Sequence, residues 1–223
     1  MDRMIIYKEW IKTRGFLLGA LVVLAILTSY TILNLAKTVE LQGAEVIWST
    51  LVMKDTVLIE ALRYLPLAAG CLLAVFQFVP ETTRKRLKLT LHLPYPQGKM
   101  IFMMYAYGIT AYVALCLLQS AFLTIFLSKW IVSELVCRIM RTALVWYLAG
   151  LAAYLFTVAA LLEPTWKHRI LILAVALGVM YLLFLSPVPE SYNGFLPWLV
   201  IYVLGVQLLI YYGVSRFKEG LQD

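Results

Sequence analysis

The sequence predicts an all-α integral membrane protein with six spanning helices and both termini on the cytoplasmic side. Three observations predict it. The 223 residues are 63% hydrophobic and 14% charged, with mean hydropathy +0.86, whereas soluble domains carry roughly 45–50% apolar and about 25% charged residues. The apolar residues fall in long unbroken runs joined by short polar connections. Lys and Arg concentrate in alternate connections, which gives the chain a direction.

A span takes about 20 apolar residues at about 1.5 Å per residue. Six runs qualify, at residues 16–36, 57–79, 101–127, 141–162, 170–185 and 195–214, the fifth being the shortest. They use most of the chain and leave no room for a soluble domain, so 1–223 reads as one transmembrane domain. Open strands would leave backbone groups unpaired in lipid, and the runs do not alternate as barrel strands do. The first run has no A-x-A site at its end, so it is expected to be a retained span rather than a signal peptide.

Lys and Arg in short connections mark the cytoplasmic face. With the N-terminus inside, thirteen lie on inner segments: Arg3, Lys8, Lys12, Arg14, Arg84, Lys85, Arg86, Lys88, Lys99, Lys167, Arg169, Arg216 and Lys218. Only Lys37, Lys54, Lys129 and Arg138 lie on outer ones, with Arg63 and Arg141 at span ends. The formal charge of +7 then reads as attraction to anionic headgroups of the cytoplasmic leaflet. The charges frame spans rather than forming one patch, so nucleic acid is not an expected partner; the lipid bilayer is.

In chain order, residues 4–14 form an amphipathic pattern, with Ile6, Tyr7, Trp10 and Ile11 on one side and Lys8, Glu9 and Lys12 on another. Trp and Tyr favour the interface, so this segment is expected to be a short helix along the cytoplasmic surface, or a flanking anchor of the first span. The outer connection 37–56 carries Trp48 as an interface residue. The connection 80–100 holds the densest basic run of the chain. At 128–140, Ile131, Leu135 and Ile139 recur at helical spacing and Glu134 and Arg138 stand four apart. That segment is either an outer interfacial helix or an extension of the fourth span. Pro187 and Pro189 make the last outer connection a tight one. The two halves show no self-similarity, unlike inverted-repeat transporters.

The sequence offers no catalytic constellation. A phosphate loop needs G-x-x-x-x-G-K-[ST]; Gly98-Lys99 is followed by Met100 and lacks the first glycine. His92 and His168 are the only histidines, on separate connections, so neither a metal nor another cofactor is expected on this chain. Cys71 and Cys116 lie in apolar runs and Cys137 in a connection, which makes an intramolecular disulfide unexpected. Ionisable groups inside spans usually mark ion or proton pathways, and the span middles have almost none. Glu60 and Arg63, three apart at the outer end of the second span, are expected to pair, and Glu163 before Pro164 to end the fourth span. Gln77, Gln119, Ser120 and Gln207 are the polar residues within spans. They read as interhelical hydrogen-bonders, or alternatively as the lining of a substrate path. Gly15-x-x-x-Gly19 is a single close-packing match at the membrane edge.

The segment after the second span resembles that of ATP-binding-cassette permeases of the type-2, exporter-like family. Their pattern approximates E-x-x-R-G-T-L-E-x-L-L-x-x-P, then a basic residue opening the third span. Glu81, Arg84, Leu87, Leu91 and Pro94 fall on it, and Lys99 precedes the third span. Lys85 stands where the family has Gly and Lys88 where it has Glu, so this segment is more basic than the pattern. The resemblance implies a cytoplasmic coupling helix in 80–100, docked on separate ATPase subunits that bind ATP and Mg. Leu87, Leu91 and Tyr95 would be its apolar anchors and Arg84, Lys85, Arg86, Lys88 and Lys99 its basic rim. Leu87, Leu89, Leu91 and Leu93 alternate with polar residues at strand period; the resemblance favours helix. It further implies a second copy or a sister permease, a path lined by the first, second and fifth spans, and the bacterial cytoplasmic membrane. Two other functions stay open: a membrane scaffold or mechanical relay that moves nothing, and an ion-coupled carrier.

Overall fold

The computed structural model describes residues 2–42, 59–83, 96–129, 131–186, 188 and 190–218. Its helices are α1 (Asp2–Gln42), α2 (Leu65–Thr83), α3 (Gln97–Leu127), α4 (Ser133–Leu162), α5 (Trp166–Leu183) and α6 (Leu196–Lys218). Short 3-10 turns at Glu60–Leu62 and Asn193–Phe195 lead into α2 and α6. Each of the six helices is long and apolar enough to cross a membrane, and the described residues contain no strand. The all-α membrane class and the six spans expected from sequence are therefore present.

Most helix boundaries lie a few residues from the expected ones, and three regions have a local reason. The surface helix expected at 4–14 is continuous with the first span: α1 is 41 residues, about 60 Å long, and exceeds even a bilayer with its headgroups at about 40–45 Å. Its first turns place the charged side inward and leave Ile6, Tyr7, Trp10 and Ile11 exposed. The second span starts later, at Leu65, after the 3-10 turn; Pro66 fits a first helical turn, where no intrahelical donor is needed. It also passes the expected stop, because Pro80 sits inside α2 and the hydroxyls of Thr82 and Thr83 bond back to the carbonyls of Phe78 and Val79. The segment 128–140 is resolved in favour of a helical extension, since α4 begins at Ser133.

The packing is centred on α4. In α4, 67% of the apolar window is buried, against 11–39% in the other five spans, so α4 is the core and the others are more exposed. It touches α2, α3, α5 and α6, while α1 packs on α2 and α3. Small residues make this possible: Ala149, Gly150, Ala152, Ala153, Ala159 and Ala160 are all buried, and small side chains let membrane helices approach closely. At the tightest point α2 and α4 cross through Gly70 and Gly150; a Cβ on Gly70 would strike the Gly150 carbonyl, and one on Gly150 the Pro66 carbonyl and the Tyr112 hydroxyl.

Because successive helices run antiparallel, the start of α1, the end of α2, the start of α3, the end of α4 and the end of α6 meet at one end of the bundle. We call it the proximal end. Tyr105 of α3 and Tyr211 of α6 meet there, hydroxyl to hydroxyl at 3.3 Å.

Candidate functional site

The proximal end holds the densest polar chemistry among the described residues. Glu9 of α1 and Glu81 of α2 are both buried, their side chains 0% and 2% exposed. Two lysines of α1 balance them. Lys12 Nζ lies 2.9 Å from Glu9 Oε1 and donates to Glu81 Oε1 at 2.9 Å and to the Gln77 carbonyl at 3.2 Å. Lys8 Nζ lies 3.1 Å from Glu81 Oε1 and 3.7 Å from Glu9 Oε1. Two carboxylates and two ammonium groups therefore form a charge-neutral set, the condition under which buried charge is tolerated.

Gln77 spreads this set to four helices. Its amide nitrogen donates to Glu9 Oε2 at 3.1 Å and to the Met104 carbonyl of α3 at 2.7 Å. Its amide oxygen accepts from the Tyr154 hydroxyl of α4 at 2.8 Å. All three side-chain roles are used, which fixes the orientation of the amide. Gly108 of α3 makes the room, since a Cβ there would strike both the Tyr154 hydroxyl and Gln77 Oε1. Beside it, Thr13 donates to the Glu9 carbonyl at 2.9 Å, so Tyr107 is the donor in its 2.8 Å bond to Thr13. Glu81 Oε2 is buried without a hydrogen-bond partner, and Glu9 Oε1 is met by the lysines only as ion pairs; the bonds that are made join α1, α2, α3 and α4 and rigidify their surroundings.

A second cluster fastens the other half of the same end. Glu163 is the C-terminal cap of α4, in extended conformation before Pro164, as its position in the sequence suggested. Its carboxylate accepts from Arg216 of α6 at 3.0 Å and from Thr165 at 2.9 Å, and its carbonyl accepts from Arg169 of α5 at 2.8 Å. Glu163 is 1% exposed, so α4, α5 and α6 are tied through one buried residue, by its carboxylate and its backbone carbonyl.

The sequence-derived site residues are distributed as follows. Glu81 and Gln77 belong to the network just described, with Gln77 an interhelical hydrogen-bonder. Lys99 is exposed at the start of α3. Arg84, Lys85, Arg86, Leu87, Lys88, Leu91, Pro94 and Tyr95 lie outside the described residues. Gln119 is buried in an apolar groove of about 210 Å³ between α1 and α3, and Ser120 donates to the Leu117 carbonyl of its own helix at 2.9 Å. Gln207 is half-buried on α6. The expected Glu60–Arg63 ion pair is replaced by a different arrangement. Arg63 donates to the Phe184 carbonyl at the end of α5 and its guanidinium lies over the Tyr64 and Phe184 rings, 5.6 and 5.4 Å from their centroids, while Glu60 is exposed. The uncapped carbonyls at a helix C-terminus attract a cation strongly enough to explain the choice.

Glu9, Lys8, Lys12, Thr13, Tyr107 and Tyr154 were not singled out from sequence as site residues. A signal existed: Glu9, Thr13, Thr28 and Thr31 share one buried face of α1. In a membrane helix the polar stripe turns toward other helices, not toward solvent. Among the described residues no three His, Cys, Asp or Glu side chains converge as a metal site. No protein-family profile, curated protein or solved structure matches the chain.

Proposed function

We propose that this chain is the membrane-spanning permease subunit of an ATP-driven exporter of the type-2 ATP-binding-cassette class. Separate ATPase subunits bind ATP and Mg and dock on the basic segment 84–95; the permease works as a pair with a second copy or a sister chain. The observation that supports this reading best is the position of Glu81. It is three residues before Arg84, it belongs to the motif that carries the resemblance, and Lys8 and Lys12 grip it at the base of the basic segment. Force applied to that segment would pass through Glu81 and Gln77 into α1, α3 and α4 rather than being lost in a loose loop. A packed network with fixed partners is the kind of element that transmits such a displacement.

An ion-coupled carrier is less well supported. The buried carboxylates Glu9, Glu81 and Glu163 sit at one end of the bundle, each with a cation within 3.1 Å, rather than at mid-membrane where coupling ions bind. Proteoliposomes containing the chain and its partner ATPase test the proposal. ATP hydrolysis should rise on assembly and fall when Leu87 or Leu91 is changed to Asp, with movement of cargo tracking hydrolysis. Hydrolysis without movement of any membrane-embedded or peptide cargo would support the mechanical relay instead, and flux driven by an ion gradient without ATPase would support the carrier.

A further inference from the structure

Towards the distal end α3 and α4 part and leave an apolar groove of about 480 Å³. Val113 and Leu117 line one wall; Leu144, Leu148 and Leu151 line the other. Buried Tyr112 stiffens the deep part, its hydroxyl donating to the Tyr147 carbonyl at 3.0 Å. Arg141 stands among the lining residues at the end nearest the start of α4. From Arg141 to Leu151 the helix advances about 15 Å, which is half of a hydrocarbon core about 30 Å thick. The groove therefore has the depth of one leaflet and a cation at its shallow end.

Arg141 is held loosely. Its side chain is 65% exposed and its contact to Glu190 is 3.5 Å, and Glu190 also faces Arg138 at 3.7 Å. One long contact uses one of the five N–H donors of a guanidinium, which leaves most of them for another acceptor. A planar, weakly hydrated guanidinium is well suited to phosphate. We propose that the groove is a binding site for an anionic phospholipid of the distal leaflet, one acyl chain lying between α3 and α4 and the headgroup phosphate on Arg141. The site is independent of ATPase docking and holds whichever of the three functional readings is correct.

The test uses the full chain in liposomes doped with either phosphatidylglycerol or phosphatidylcholine, each carrying a photoreactive diazirine in one acyl chain. Cross-linked peptides are mapped by mass spectrometry. Phosphatidylglycerol should label the 112–120 and 141–151 segments several-fold more than the exposed side of α6, and more than phosphatidylcholine does. Leu144→Trp, at a 44% exposed position where a larger ring can fill the groove without repacking the core, should abolish the enrichment. Arg141→Gln should remove the headgroup preference while tail labelling persists, and Glu190→Gln should preserve or increase it. Even labelling of α3, α4 and α6 in the wild-type chain, or equal labelling by the two lipids, would overturn the proposal. Should Leu144→Trp elute as aggregate, the Arg141→Gln comparison alone decides.

Discussion

At the scale of single residues, the proximal network makes an ordered set of predictions. Glu9 and Glu81 are buried and Lys12 is 14% exposed, so Lys12→Met leaves uncompensated buried charge and should cost about 3–5 kcal/mol. Lys8 is 39% exposed, and Lys8→Met should cost less than about 1 kcal/mol because water screens that pair. Adding Glu81→Gln to Lys12→Met should recover part of the loss, since it removes one of the orphaned charges. Unfolding in mixed micelles reads all three; equal effects at Lys8 and Lys12 would contradict the burial argument. Gly108→Ala drives a methyl into the Tyr154 hydroxyl and should cost about 1–3 kcal/mol. Combining it with Tyr154→Phe should not restore that stability, because the Tyr154 ring carbon and Gln77 Oε1 would still clash with the new methyl and the Gln77 oxygen would lose its donor. Half of this network was readable in the sequence. Glu81 stood out through its motif and Gln77 as a polar residue within a span. Glu9 and Lys12 did not, because their spacing fits a water-facing stripe equally well, and only the partners supplied by α2 and α3 distinguish the two.

At the scale of elements, the six spans were legible because apolar runs of that length have one stable form in lipid. Their ends were not, because they depend on what lies beside them. α1 continues through 4–14 because Glu81 and Gln77 give its charged side somewhere to go, and α2 passes Pro80 with threonine hydroxyls bonding back beyond it. Nor did hydropathy alone single out α4 as the centre; that follows from its small residues meeting α2 at a glycine pair. Gly150→Leu should separate α2 from α4 and lower the melting temperature markedly, whereas Gly178→Ala on α5, where a Cβ meets nothing within 4 Å, should change stability by less than about 0.5 kcal/mol. Parallel melts of the two variants check this contrast, and equal melting temperatures would remove the glycine pair from the account.

For the whole molecule, the proposed orientation puts the proximal end in the cytoplasm, on the argument that Lys and Arg gather in the connections of that side. In a background with the native cysteines replaced by Ser, Ser128→Cys at the exposed end of α3 should react with a membrane-impermeant maleimide on intact cells, and Thr90→Cys only after permeabilisation. The reverse pattern would invert the protein and place the basic segment out of reach of any cytoplasmic ATPase. Function was less legible than fold because the sequence shows no familiar catalytic motif from which to start. Under the proposed function the sequence carries a surface for another protein, and such a surface shows itself as a basic segment with apolar anchors rather than as a catalytic pattern. The most direct test is affinity capture of the tagged chain from solubilised membranes of its source cells, read by mass spectrometry beside Leu87→Asp, Leu91→Asp and Pro94→Gly variants. The proposal predicts a Walker-motif ATPase at near-stoichiometric yield on the wild-type chain and its loss from all three variants, with membrane insertion unchanged. Absence of such an ATPase from the wild-type chain, or its undiminished capture by the variants, would contradict it.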